Sequence, residues 1–272
     1  MQKLTFAATA AMGLEALVGK EIEQLGYEKK VENGKVIFEA PVTAIPRCNL
    51  WLRTADRLKI IVGTFKATTF DELFEGTKAL PWEQYISEDG QFPVIGKSVK
   101  SQLHSVPDCQ KIVKKDVAER LKRKHGIAYN MPETGALYRI EISLLKDVAT
   151  LTIDTSGSGL HKRGYRVGQG EAPLKETMAA ALVLLTNWKP DDPFIDPFCG
   201  SGTIPIEAAL IGQNIAPGFN REFVSEDWFY MKEKYWQEAY EEAEDMANYD
   251  QPLDIHGTDI DHRMIEIAEK NA

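Results

Sequence analysis

The run Phe194-Ile195-Asp196-Pro197-Phe198-Cys199-Gly200-Ser201-Gly202-Thr203 constrains this chain more than any other segment. Two apolar residues lead to an acid, the backbone then turns through small residues, and residues 204–211 have the make-up of an apolar helix. Glycine at 200 and 202 permits positive φ and lets a ligand approach the main chain. The pattern predicts a strand, a tight loop and a helix, with the loop shaped to touch a ligand. A plain Gly-Ser-Gly turn joining strand to helix is the competing reading.

Downstream, Ile255-His256-Gly257-Thr258-Asp259-Ile260-Asp261 reads as a second strand ending in acids, followed by a helix from Arg263 to Asn271. An acid at that strand tip is where doubly wound folds hold a ribose hydroxyl pair. A phosphate-binding P-loop is excluded because no lysine follows Gly202. A dinucleotide fingerprint is excluded because Pro205 stands where its third glycine belongs.

These two motifs resemble the cofactor half of class I S-adenosylmethionine-dependent methyltransferases, and Asp-Pro-x-Cys-Gly-Ser-Gly-Thr resembles the form seen in amino-methylating members. A cationic sulfonium with an amino-acid end suits acids near the loop, where a pyrophosphate would be repelled. The resemblance implies S-adenosylmethionine as cofactor, held by Asp196, Pro197, Phe198, Gly200, Ser201, Gly202, Thr203 and Asp259. In that scheme Asp196 acts on the methionine amino group and Asp259 accepts the ribose hydroxyls.

The chain has 272 residues, 43% hydrophobic and 27% charged, which is enough for more than one domain. Its longest apolar run, Met178 to Leu185, is far too short to cross a bilayer, and the N-terminus lacks a signal-peptide core, so the cytoplasm is the expected compartment. Cys48, Cys109 and Cys199 lie far apart, which predicts neither a disulfide frame nor a metal site.

A net charge of −9 argues against a nucleic-acid partner, but the charge is unevenly placed. Between Lys97 and His125 nine lysines and arginines face three acids, whereas between Phe219 and Asp250 ten acids face three basic residues. A local basic surface matters more than the total for phosphate contacts. Lys111, Lys114, Lys115, Lys122 and Arg123 are therefore candidate RNA contacts, with a solvated helix face as the alternative.

Along the first 66 residues the pattern reads strand, helix, hairpin, helix, strand. Asn33-Gly34 predicts a type I′ hairpin turn, and the order βαββαβ predicts a ferredoxin-like domain over 1–66. Residues 67–155 then read as helix, strand, basic helix and a hairpin across Lys146-Asp147. With Gly159-Leu160-His161-Lys162-Arg163-Gly164-Tyr165-Arg166, Ala172-Pro173-Leu174-Lys175-Glu176-Thr177 and the Asp196 loop, the whole resembles the THUMP-domain RNA methyltransferases. Within them it is most similar to the bacterial group that includes 23S ribosomal RNA guanine-N2 methyltransferases.

The expected architecture is thus α/β: a ferredoxin-like unit, a THUMP-like RNA-binding module over 67–155, a basic linker over 156–173, and the first part of a Rossmann-like methyltransferase domain over 174–272. Glycine-rich stretches bracket the linker, which offers His161, Lys162, Arg163 and Arg166 to phosphates and Tyr165 to a base or ribose. An ordinary charged linker is the other reading. Leu174 to Leu185 reads as a helix with Leu174, Met178, Leu182 and Leu185 on one face. The resemblance brings its first turn, Lys175, Glu176 and Thr177, near the methionine end of the cofactor, with helix capping and solvent pairing as the alternative.

Two departures stand out. The ribose acid ordinarily follows the glycine loop by about 20 residues, but here the acidic, Trp- and Tyr-bearing stretch 212–252 intervenes. It predicts either a segment packed on the body through Trp228, Tyr230, Tyr235, Trp236 and Tyr240 or a lid over the cofactor. Secondly, the family's Asn/Asp-Pro-Pro-Tyr/Phe motif, which positions the acceptor amine, is missing because no Pro-Pro dipeptide occurs. The catalytic residue is therefore unassigned and expected beyond Ala272, and the chain is expected to be incomplete and inactive alone. The function implied is methyl transfer to the exocyclic N2 of a guanine in 23S rRNA or an assembly intermediate. An adenine-N6 DNA methyltransferase and a non-catalytic RNA-binding module are the alternatives, and the oligomeric state is left open.

Overall fold

The structure, a computed structural model, describes residues 3–168, 170 and 173–272. Ala172 of the sequence motifs above and Gln169 of the expected linker lie outside the described residues.

The first two units share one sheet. Strands β1 (Lys3–Ala10), β2 (Lys29–Glu32), β3 (Lys35–Pro41) and β4 (Ala55–Lys66) alternate with helices α1 (Glu15–Gln24) and α2 (Ala44–Trp51). Next come α3 (Phe70–Ala79), β5 (Val94–Val99), α4 (Val106–His125), β6 (Ile140–Leu145) and β7 (Val148–Asp154). The strand order is β2-β3-β1-β4-β7-β6-β5, and only β5 and β6 pair in parallel. Continuity comes from the length of β4. Its start pairs with β1, and Lys59 to Lys66 pair with β7.

Period-2 alternation puts Phe6, Ala8, Leu58, Ile60, Leu151, Ile153, Ile140 and Ile142 on one face, all buried beneath the helices. The other face carries an ion-pair row, with Lys59 Nζ 2.6 Å and Lys97 Nζ 3.0 Å from the Glu141 carboxylate. Because β5 and β6 run parallel, α4 must cross back along the sheet, so its basic C-terminal turn reaches the end where β6 starts and β7 finishes.

The type I′ expectation at Asn33-Gly34 is corrected. Gly34 has φ 75 but Asn33 is not among the residues with positive φ, whereas a I′ turn needs both. That geometry occurs at the β6–β7 turn instead, where Lys146 and Asp147 have φ 50 and 63. Tertiary pairing there fixes the register that the residues themselves do not favour.

The C-terminal part contains α5 (Glu176–Leu185), β8 (Phe194–Asp196), α6 (Thr203–Gly212), α7 (Glu233–Met246), β9 (Ile255–Gly257) and α8 (His262–Asn271). Strands β8 and β9 form a parallel pair. Helix α5 packs on α6 through buried Ala179, Ala180 and Val183, whose small side chains allow close approach, while Leu174, Leu182 and Leu185 of the expected apolar face are exposed.

Residues 213–246 are a strap and not a lid. Trp228, Tyr235 and Trp236 are buried in the same core as Phe6 and Ile60. The Trp228 indole donates to the Leu137 carbonyl at 2.9 Å and its ring stacks on Tyr138. On α7, Glu242 accepts from two donors of the Arg47 guanidinium of α2, Nε to Oε2 and Nη2 to Oε1, both at 2.8 Å. Among the described residues no helix is long and apolar enough to cross a membrane.

Candidate cofactor site

The loop after β8 is built as its residue types require. Gly200 and Gly202 have φ 52 and 82, and a Cβ on Gly202 would lie 3.0 Å from that of Ala268 on α8. Helix α6 therefore starts against α8, with the N–H groups of its first turn pointing outward along the positive end of the helix dipole. The two strand tips are sewn together: Cys199 N donates to Thr258 O and Thr258 N to Asp196 O, both at 2.9 Å.

Asp196 Oδ1 accepts from Phe198 N at 3.1 Å. Asp259 Oδ2 accepts from Gly200 N at 3.0 Å and its Oδ1 from Asp261 N at 2.9 Å, so this acid holds the glycine loop in shape. Burial, together with Asp196 and Asp259, pushes the Cys199 thiol up, so it stays a thiol and is a poor nucleophile.

A recess of about 390 Å³ opens beside the loop, lined by Asp196, Phe198, Cys199, Gly200, Ser201, Thr203 and Ile204 together with Gly170, Pro173, Leu174 and Met264. Of the residues named from sequence, Asp196, Phe198, Gly200, Ser201 and Thr203 line it. Pro197, Gly202 and Asp259 stand behind as its frame. Among the described residues no cluster of three or more His, Cys, Asp or Glu side chains could hold a metal ion.

Three linker residues expected to face RNA serve the interior instead. The Arg163 side chain is 2% exposed, and its Nε and Nη2 each lie 3.2 Å from a carboxylate oxygen of the fully buried Glu207 on α6. Its remaining donors go to the Leu160 and Arg53 carbonyls. Tyr165 donates its hydroxyl to Glu207 at 3.1 Å, and burial raises its pKa, so the ring edge is tied inward. Arg166 clasps the cofactor loop: Nη1 donates to Ser201 Oγ at 3.0 Å, Nη2 to Thr203 Oγ1 at 2.9 Å and Nε to Glu176 at 2.7 Å. These guanidiniums are not available to phosphates.

His161 and Lys162 do face a recess, with the imidazole pKa lowered from 6.5 mainly by burial. On α4, Lys111 and Lys115 are exposed, and Lys122 and Arg123 make no ion pair among the described residues. Lys114 is folded inward over the Phe92 ring and onto Glu133 at 2.5 Å.

Sequence reasoning missed Asn271. Its Nδ2 donates to the Ser201 and Gly168 carbonyls at 3.0 Å, and its Oδ1 accepts from Val167 N at 2.8 Å, so it joins linker, loop and α8. No local pattern marks an asparagine in a helix's last turn for that role.

Comparison with known proteins agrees with this geometry along the whole chain. Residues 163–272 match the RMKL-like methyltransferase domain, residues 5–59 the RlmL ferredoxin-like domain and residues 67–154 the THUMP domain. A Bacillus subtilis (strain 168) protein, YpsC, named as an RNA methyltransferase, is 67% identical over all of this chain and 71% of its own length. The chain belongs to the THUMP-containing RMKL-like methyltransferase family. A Listeria monocytogenes str. 4b F2365 crystal structure, described as a predicted N6-adenine-specific DNA methylase, superposes with TM-score 0.98 at 69% identity, covering all of this chain and 72% of that one. SMU.472, a methyltransferase-type protein crystallised with SAH, has TM-score 0.96 at 53% identity over the same shares. TrmN from Thermus thermophilus shares the fold, with TM-score 0.65 at 20% identity over all of this chain and 69% of that one.

Proposed function

We propose that this protein uses S-adenosylmethionine to methylate RNA, with the exocyclic N2 of a guanine in 23S rRNA or an assembly intermediate as acceptor and the cytoplasm as its place of action. The observation that carries the reading is the recess at Asp196, one strand tip from Asp259, in a chain that also has a THUMP domain. The donor set fits the cofactor. One Asp196 oxygen bonds Phe198 N and the other is left for a cationic amino group. The first turn of α6 offers N–H groups to a carboxylate.

When bound, the cofactor supplies an electrophilic methyl group on sulfur. The chain's own residues do the positioning: Asp196 would fix the amino-acid end, Asp259 shapes the glycine loop and would take the ribose hydroxyls only on lone pairs its two backbone bonds leave, and Arg166 with Asn271 keep the loop from opening. Transfer rests on alignment and exclusion of water around a base taken out of its stack. No Asn/Asp-Pro-Pro-Tyr/Phe sequence lies in the 272 residues, so the acceptor amine has no assigned partner here. THUMP content favours RNA over the DNA acceptor for which the Listeria neighbour is described.

Titration calorimetry with S-adenosylhomocysteine tests the site. Asp196→Ala should abolish measurable binding and Asp259→Ala should weaken it by about 1–3 kcal/mol, the cost of losing buried hydrogen bonds. Wild-type affinity in both variants would remove the recess from the mechanism. Radiolabelled methyl incorporation into deproteinised 23S rRNA, compared with duplex DNA, decides the acceptor.

A further inference from the structure

The cofactor recess does not end blindly. It shares Pro173 and Leu174 with a second recess of about 370 Å³, and that one shares His161, Lys162 and Gly164 with an open trough of about 940 Å³. The trough reaches the end of the large sheet where β6 begins, with Arg139 in its wall. Three openings linked by shared walls make one path from the Asp196 loop to the THUMP sheet.

The path carries unpaired positive charge. Lys175 lines the middle recess, Lys162 the junction and Arg139 the trough. None of the three makes a side-chain hydrogen bond or ion pair among the described residues. His161 at the junction is held neutral by burial at pH 7, so the charge is theirs. Arg57 and Arg221 also line the trough but are engaged: Arg57 pairs with Asp154, and Arg221 donates to the Gly159, Lys162, Ser156 and Ser158 carbonyls. They build the wall. Glu222 and Asp227 are the acids of the trough, while Glu176, paired with Arg166, lines the middle recess and Asp196 the first.

We propose that the single-stranded flank of the methyl acceptor runs along this path, with its phosphates on Lys175, Lys162 and Arg139 as it passes from the cofactor recess to the THUMP sheet. The inference rests on the RNA reading above and adds its route. A base that enters the Asp196 recess must leave its stack, so the nucleotides beside it are unpaired and need a channel for their backbone. Phe223, the phenyl ring of the trough, is covered by the Arg221 guanidinium at 4.7 Å and offers no stacking platform, which leaves the His161 imidazole at the junction as the other ring in its wall. The path therefore grips mainly phosphates, through its three cations that are free among the described residues.

Fluorescence anisotropy with a 12-nucleotide single-stranded RNA over a salt series tests this, using wild type, Arg139→Gln/Lys162→Gln, and Lys20→Gln on α1 as a charge control. Removing two phosphate contacts should flatten the log affinity against log salt slope by about 1.4 and weaken binding about tenfold for every sequence tried. Lys20→Gln should leave both as they are. Photocrosslinking with 4-thiouridine beside the target position should mark peptides 156–164 or 219–227. If the double variant binds with wild-type affinity and slope, the route is wrong and RNA reading stands. If the wild-type protein binds no RNA, the RNA reading itself falls and the route with it.

Discussion

In α4, the side chains of Lys111 and Lys115 are 80% and 70% exposed and reach their acids only at 3.8 and 3.9 Å. In the linker, Arg163 is 2% exposed and both oxygens of Glu207 lie against it. Both segments are dense in cations, and both face the same solvent until the chain folds. The difference lies in where their acids sit. Those of Lys111 and Lys115 are one turn away on the same helix, so these two pairs stay in water and contribute little. The partner of Arg163 is 44 residues further on, on the helix that starts at the cofactor loop. Arg163, meeting its distant acid, becomes part of the interior. Lys111 and Lys115, meeting near ones, stay on the surface.

The largest effect that could break this contrast is at Arg163. Arg163→Met should lower unfolding free energy by about 3–5 kcal/mol in urea denaturation, because Glu207 is left as a buried unpaired charge. Arg163→Met/Glu207→Met should recover most of that loss, since a buried pair replaced by apolar groups is close to neutral. If the single variant is as stable as wild type, the pair is solvated and the contrast is wrong.

A smaller effect sharpens the picture of α4. Asp116 sits on its buried side with both carboxylate oxygens unpartnered, and desolvation together with Glu119 raises its pKa to about 7, against lesser opposition from Lys115 and Lys78. Glu75 adds to the rise. The folded value lies above the unfolded 3.8, so folding favours the neutral acid. The cost of ionising it is absent below about pH 3.8, grows as pH rises and is complete above about pH 7. Asp116→Asn should accordingly raise stability by about 1–3 kcal/mol at pH 8 and change little at pH 3.5. Equal effects at both pH values would show that the carboxyl is solvated.

The smallest effect on folding is expected at the free end of α4. Lys122→Glu/Arg123→Glu should shift stability by no more than about 0.5 kcal/mol, while weakening RNA of any sequence and flattening its salt slope. A large loss of stability would place these cations with Arg163 and not with Lys111.

Local pattern made much of the architecture legible. The βαββαβ order, the basic helix and the strand-loop-helix at Asp196 all express periodicities that neighbouring residues settle among themselves. The ligand loop was readable for the same reason, because Gly200 and Gly202 are needed for a conformation fixed within four residues. What stayed hidden depends on partners far along the chain. The hairpin across Lys146-Asp147 is legible in the sequence but its I′ form is not, because a lysine does not favour the positive φ that the strand pairing imposes on it. Arg166 read as a phosphate ligand until Ser201, Thr203 and Glu176 surrounded it, and Asn271 carried no signal at all.

The strap has a consequence for the order in which the protein can be made. Arg47 and Glu242, which join α2 to α7, are 195 residues apart. At about 5–20 residues per second of synthesis, roughly 10–40 s pass between the emergence of the first and the second. During that interval the sheet's helices stand without Trp228, Tyr235 and Trp236, and the surface these will cover is open to other chains. Until residue 246 has been made, the nascent front half therefore exposes apolar surface that the finished protein buries.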